Sequence, residues 1–320
     1  MTSDIRNILG HTNIFKNLDE TYEFQKIGSS KYKVDKNDKS YVFAVYDFDQ
    51  LDEIENEAFI NEVLENAGLN PLKIYERGLM PDIEKSFKVY EYRDETALKD
   101  FLEKASEKEQ EKIGSKFGLA LKKLHSIKSS ENIDWQNYFL IKSNKIFYRH
   151  GLSEIGDRDY ILVDFINANK YLTENTAINL LYKNISDKNI RIYKKNSLDL
   201  RGIKKLEYGD GIIDFVEINK IAIKYPIFAR SALSSYHEEG NPTRKFFRLL
   251  SLYQATAVLD SIIDIRNKTE SYLSSEEIDS LLRMYDDFNE IIPKWLDWQK
   301  GGNMKYKSLA IELLTKYLLR

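Results

Sequence analysis

The feature that most constrains this chain is a change of hydrophobic period near residue 92. Before it, short apolar stretches alternate with a period of two and are broken by turn residues. Residues 22–27 read as a strand, Gly28-Ser29-Ser30 as a turn and residues 31–34 as renewed extended chain. Lys36-Asn37-Asp38 turns again, and residues 41–46 form a third strand. In that strand Tyr41, Phe43 and Val45 share one face, and Val42, Ala44 and Tyr46 share the other. A helix is predicted over 52–67, its apolar stripe including Ile54, Ala58, Ile60, Val63 and Leu64. Gly68 stops it, Pro71 lies just beyond, and residues 87–92 return to strand.

After Arg93 the period becomes helical. Ile113, Phe117, Ala120, Leu121 and Leu124 make one stripe, and further helices are predicted over 160–172, 246–263 and within 278–298. Short extended pieces fall at 190–193 and 211–215. Gly301-Gly302 precedes a last amphipathic helix carrying Leu309, Leu313 and Leu318, a candidate docking element for a protein partner. The expected divisions are 1–92, 93–300 and 301–320. A small strand-rich part followed by a larger helical part predicts two lobes, with a ligand cleft at their junction.

Composition narrows the partners. The 48 basic and 51 acidic residues are mixed along the chain, which leaves no basic domain for nucleic acid. There is no cysteine, so disulfides, thiolate nucleophiles and Cys-based zinc sites are excluded together. The N-terminus lacks a secretory pattern, and no 18-residue apolar run is seen. A cytoplasmic protein with no membrane span is expected. The four histidines show no metal-ligand spacing.

Three places carry candidate chemistry. The Gly28-Ser29-Ser30 turn can cover phosphates with backbone N–H groups, or be a plain hairpin turn. Asp214, in Gly211-Ile212-Ile213-Asp214-Phe215, is placed either to hold magnesium against phosphate oxygens or to act as a capping or salt-bridged acid. The polar run at 184–192 supplies Asn189 as a second metal ligand.

These segments resemble the aminoglycoside phosphotransferases and choline kinases. The similarity rests on Phe117 to Ser126, on Gly211 to Phe215, and on Tyr225-Pro226, Ser235-Tyr236, Phe246 to Tyr253 and Ile292 to Trp295. It spans roughly residues 12 to 298. The resemblance implies an α+β, bilobal, protein-kinase-like fold: a small antiparallel sheet with one helix, then a larger helical lobe. It also implies ATP or GTP with Mg2+, bound near Tyr90, Glu91 and Tyr92, and a γ-phosphate transferred to a hydroxyl of a small molecule.

The sequence departs from that family where catalysis is carried. With Asn189 aligned to the Asn of the family's His-x-Asp-x-x-x-x-Asn loop, Asn184 stands at the base position. An amide accepts no proton near neutral pH, which leaves Asp187 as a nearby substitute. The third strand puts Ala44 where a phosphate-pairing lysine belongs, so the helix acid Glu57 lacks its expected partner. Lys31 and Lys33 are the candidate replacements. The family's Gly-Asp-Pro segment after the metal Asp reads as shortened or deleted, with Glu217 its remnant. The expectation is a pseudo-phosphotransferase that binds nucleotide or a small molecule. The alternatives are a divergent active kinase and a non-catalytic scaffold.

Overall fold

In the computed structural model, residues 8–16, 23–156, 158–183, 185–186, 188–194, 197–238 and 240–296 are described. Asn184, Asp187 and the expected helix beyond Gly301 lie outside them. The chain groups into two compact units, Met1–Leu98 with Asn189–Leu206, and Lys99–Lys188 with Glu207–Arg320.

The first unit is built on β1 (Phe24–Gly28), β2 (Lys31–Lys36), β3 (Lys39–Asp47), β4 (Ile74–Met80) and β5 (Lys85–Glu91). These strands pair antiparallel in the order β1-β2-β3-β5-β4. One face carries Val34, Phe43, Phe87 and Val89, which pack with Leu9, Phe15 and Met80 into an apolar core. The alternation read from the sequence holds: Tyr41 and Val45 pack against this core beside Phe43, and Val42 and Ala44 are buried on the opposite face. Helix α1 (Leu51–Asn66) buries Ile54, Ile60 and Leu64. It ends as expected at Gly68, whose φ of 73° is easy for glycine, while Leu69 N–H returns to the Leu64 carbonyl.

A second sheet extends this unit. β6 (Glu95–Ala97) pairs with β8 (Ile190–Tyr193), and β8 with β9 (Ser197–Leu200). These ladders carry the unit past residue 92 to Leu98 and bring 189–206 into it. Pairing between segments about a hundred residues apart has no local signal in the chain.

The second unit is mostly helical. Its helices are α3 (Glu107–Ser126), α4 (Trp135–Leu152), α5 (Asp159–Asn169), α6 (Phe215–Ala222), α7 (Pro226–Tyr236), α8 (Arg244–Arg266) and α9 (Ser275–Met284), with the short α2 (Leu98–Leu102) where the chain enters. Side chains of Asp134 and Thr243 cap α4 and α8, and a Ser274–Glu277 capping box opens α9. The piece expected to be extended at 211–215 is instead a 3-10 turn, Gly211–Asp214, running into α6; it follows a two-stranded ladder of β7 (Ile178–Leu181) with β10 (Glu207–Asp210). The turn forms because the Asp210 carboxylate accepts the Ile212 N–H. Contrary to the sequence expectation, one helix among the described residues, α8, is apolar and long enough to cross a membrane. Of its apolar window, 78% is buried inside the protein.

Helices α3 and α7 are in extensive contact because Gly114 and Gly118 let backbone meet backbone. A Cβ on Gly118 would collide with the carbonyl oxygen of Ala232, and one on Gly114 with that of Phe228. Neither obstacle is a side chain that can swing away. Gly118→Ala is therefore expected to cost about 2 kcal/mol or more, read as a lowered urea midpoint with an unchanged m-value.

Candidate functional site

In the first unit, β3 presents Ala44 between Lys31 of β2 and Lys88 of β5, its direct cross-strand partners. Directly opposed residues share a face of the sheet, so the three form one row. Lys88 is 5% exposed, and its Nζ lies 2.5 Å from Glu57 Oε2 of α1. The rings of Tyr90 and Tyr46 flank the ammonium, with centroids 5.0 and 5.6 Å away. Burial, then the nearby Glu57 carboxylate, push the Tyr46 hydroxyl up to about 12. Glu57 thus has its cation, delivered from the neighbouring strand.

Lys31 and Lys33 stand apart from this pair. Lys31 is exposed and Lys33 pairs with Asp35 at 3.3 Å beneath the Tyr92 ring, so neither takes the Glu57 position. The sequence held one clue to Lys88: a lone lysine between Phe87 and Val89 on an inner strand. A buried ammonium there demands a carboxylate partner. Which carboxylate depends on strand order, which the sequence does not display. The Gly28-Ser29-Ser30 turn joins β1 to β2, and Ser30 carbonyl accepts Val45 N–H at 2.9 Å, tying the turn to β3. Tyr90 shares the Lys88 face, Tyr92 N–H reaches Ser40 carbonyl, and Glu91 pairs with Arg93 at 2.7 Å.

The β6-β8-β9 sheet carries a charged cluster. Asp199 is 1% exposed, and its Oδ2 receives Arg201 Nε at 2.8 Å and Arg93 Nη1 at 3.1 Å. Arg201 also makes a two-pronged pair with Glu95. Asp199 Oδ1 has no partner among the described residues. Arg201 N–H donates to the Asn189 carbonyl at 3.1 Å, so the ladder sets Arg201 opposite Asn189 and Gly202, with φ 84°, one step beyond. A cavity of about 470 Å³ lies between α1 and residues 199–204, with Tyr46, Glu57, Asp199 and Arg201 in its wall.

In the second unit the Asp214 carboxylate is turned to hydrogen-bond donors. Oδ2 accepts Tyr182 N–H at 2.6 Å and contacts His125 Nε2 at 3.1 Å, while Oδ1 accepts Lys183 N–H at 2.9 Å. His125 Nδ1 meets the Tyr236 hydroxyl at 2.8 Å. Beside it, Asp210 accepts Tyr253 O–H at 2.7 Å, and Tyr253 accepts Trp135 Nε1–H at 2.8 Å. Burial raises the Asp210 carboxyl, opposed by the Ile212 N–H and the Tyr253 hydroxyl. The geometry engages the Asp214 carboxylate with two backbone N–H donors and His125. Asp214 thus holds the backbone of Tyr182 and Lys183, the stretch that leads into position 184. Gly209-Asp210-Gly211 leads into the 3-10 turn that carries Asp214.

Residues 24–159 match the phosphotransferase enzyme family, APH. No curated protein matches. Among solved structures, the aminoglycoside phosphotransferase APH(4)-Ia superposes with a TM-score of 0.58 at 11% identity, covering 88% of this chain and 99% of that one. The GDP complex of aminoglycoside 2'-phosphotransferase-IIIa gives 0.55 at 13%, covering 90% and 98%. A putative fructosamine-3-kinase from Haemophilus somnus 129PT gives 0.53 at 17%, covering 88% and 98%. At these identities the likeness is one of fold.

Replacing Asp214 by alanine strands two backbone N–H groups and a buried histidine. The expected loss is about 3–5 kcal/mol of stability, seen as a large drop in melting temperature that added divalent metal does not reverse.

Proposed function

We propose that this chain, which matches the phosphotransferase enzyme family over residues 24–159 and shares its fold with solved aminoglycoside phosphotransferases, is a nucleotide-binding pseudo-phosphotransferase. The observation that carries the reading is the Lys88–Glu57 pair. A kinase fold uses a lysine–glutamate pair to fix an ammonium against nucleotide phosphates. Here the strand position that normally holds the lysine is Ala44, yet an ammonium is supplied to the same glutamate from β5. The anion-binding feature is retained by a different route. Solved structures of similar fold support the ligand class, since one is a ternary complex with AMP-PNP and hygromycin B and another a GDP complex.

The magnesium expected from the resemblance does not fit the residues present. On the strand beside Asn189, the positions opposite it and one step further hold Arg201 and Gly202, neither of which offers a carboxylate. Asp199 lies two residues back, roughly 6–7 Å along the strand, and its Oδ2 already faces two guanidinium groups. Asp214 is committed to N–H donors, and no cluster of three metal-ligating side chains occurs among the described residues.

With Asn184 at the base position, neither proton acceptance nor metal assistance is provided in the usual way. Loss of the base alone costs about 10²–10⁴ in rate. This chain's residues bind and orient a nucleotide, with a small molecule as the second ligand class.

Lys88→Ala should weaken ATP or GTP binding about tenfold or more, measured by isothermal titration. Adding Ala44→Lys to that variant should restore most of the affinity by returning an ammonium to Glu57. Unchanged binding in Lys88→Ala would sink the role of the Lys88–Glu57 pair, and absence of ATP and GTP binding by the parent chain would sink the nucleotide reading. Robust transfer of labelled γ-phosphate to aminoglycosides, choline or sugars would sink the pseudoenzyme reading.

A further inference from the structure

We infer that the phosphates of this nucleotide are held by lysine ammonium groups alone, Lys31 and Lys88 on either side of Ala44, with no divalent metal between them. The inference rests on the nucleotide-binding reading above. Its geometry lies within one sheet. Adjacent strands are about 4.8 Å apart, so the backbones of Lys31 and Lys88 stand roughly 10 Å apart. Both side chains rise from the same face, because each is the cross-strand partner of Ala44. Only a methyl group projects between them. Lys33 lies two residues further along β2 on the same face.

The charges around this row favour an anion over a metal. Lys88 faces Glu57 and Lys33 faces Asp35. Lys31 is exposed and has no carboxylate partner among the described residues, so the face keeps a surplus positive charge. The nearby buried carboxylate that a metal would need, Asp199, is compensated by Arg93 and Arg201, and those arginines are in turn held by Glu91 and Glu95. A divalent cation arriving there meets two guanidinium charges before it meets phosphate. Metal already chelated by the nucleotide would lower the anionic charge that the lysines attract. The metal-free nucleotide is therefore the better ligand, and its binding should weaken as salt screens the ammonium groups.

The test is isothermal titration of ATP into the full chain, once with EDTA and once with excess Mg2+. The expected result is affinity with EDTA equal to or tighter than with Mg2+. Lys31→Gln should weaken the EDTA measurement about tenfold while leaving adenosine binding and the melting temperature unchanged, and Lys31→Arg should restore it. Because Lys31 is exposed, its loss should leave the fold intact. Binding that appears only with Mg2+ would overturn this inference and leave the nucleotide reading standing, with Asp199 Oδ1 as the ligand atom. Parent-like ATP affinity of Lys31→Gln in EDTA would overturn it in the same way. If ATP binds under neither condition, the nucleotide reading falls and this inference falls with it.

Discussion

An ammonium group on the inner strand of a sheet is the constraint around which the first unit is arranged. Lys88 is nearly inaccessible, and a buried charge without a partner is among the more costly features a fold can contain. The cost is met by Glu57, which fixes how α1 lies over the sheet. It is also met by the faces of Tyr46 and Tyr90, whose π-electrons favour a cation. Removing one partner of such a pair leaves the other charge exposed to a poor solvent, which is why the pair behaves as a unit. Ala44 belongs to the same arrangement. A longer side chain on β3 would enter the space that the Lys88 side chain crosses to reach α1.

A similar economy of charge runs through the β6-β8-β9 sheet. Glu91, Arg93, Asp199, Arg201 and Glu95 alternate in sign along a continuous chain of contacts. In that chain Asp199 Oδ2 already faces two guanidinium groups. Arginine holds its charge at any ordinary pH, and its planar fork matches a carboxylate in two-pronged geometry, as with Glu95. A hydrated metal ion would have to displace a partner of that kind. The sheet therefore has the character of a fixed structural brace.

Much of this fold was legible in the chain because its signals are local. The period-two faces of β3, the Gly68 stop of α1 and the apolar stripes of α3 and α8 each depend on residues within one element. The candidate site was legible only where residues differ from the pattern of the family the chain resembles. Asn184 and Ala44 stand out against a known pattern, but compensation comes from across strands. Lys88 opposes Ala44 through a register set by strand order, and Arg201 opposes Asn189 through a hairpin. Asp214 is ambiguous in the sequence for the same reason. A carboxylate after an apolar run reads alike whether it faces a metal or the backbone of a loop, and only the donors at Tyr182 and Lys183 separate the two.

The substitutions are best understood together. With a lysine on β3, a second ammonium from Lys88 would crowd the same glutamate, and like charges at that range repel. With alanine there, Lys88 is required. The features that remain strong, Glu57 with its cation and Asp214 with its loop, are those that also hold the fold. They persist for stability whether or not phosphate is transferred.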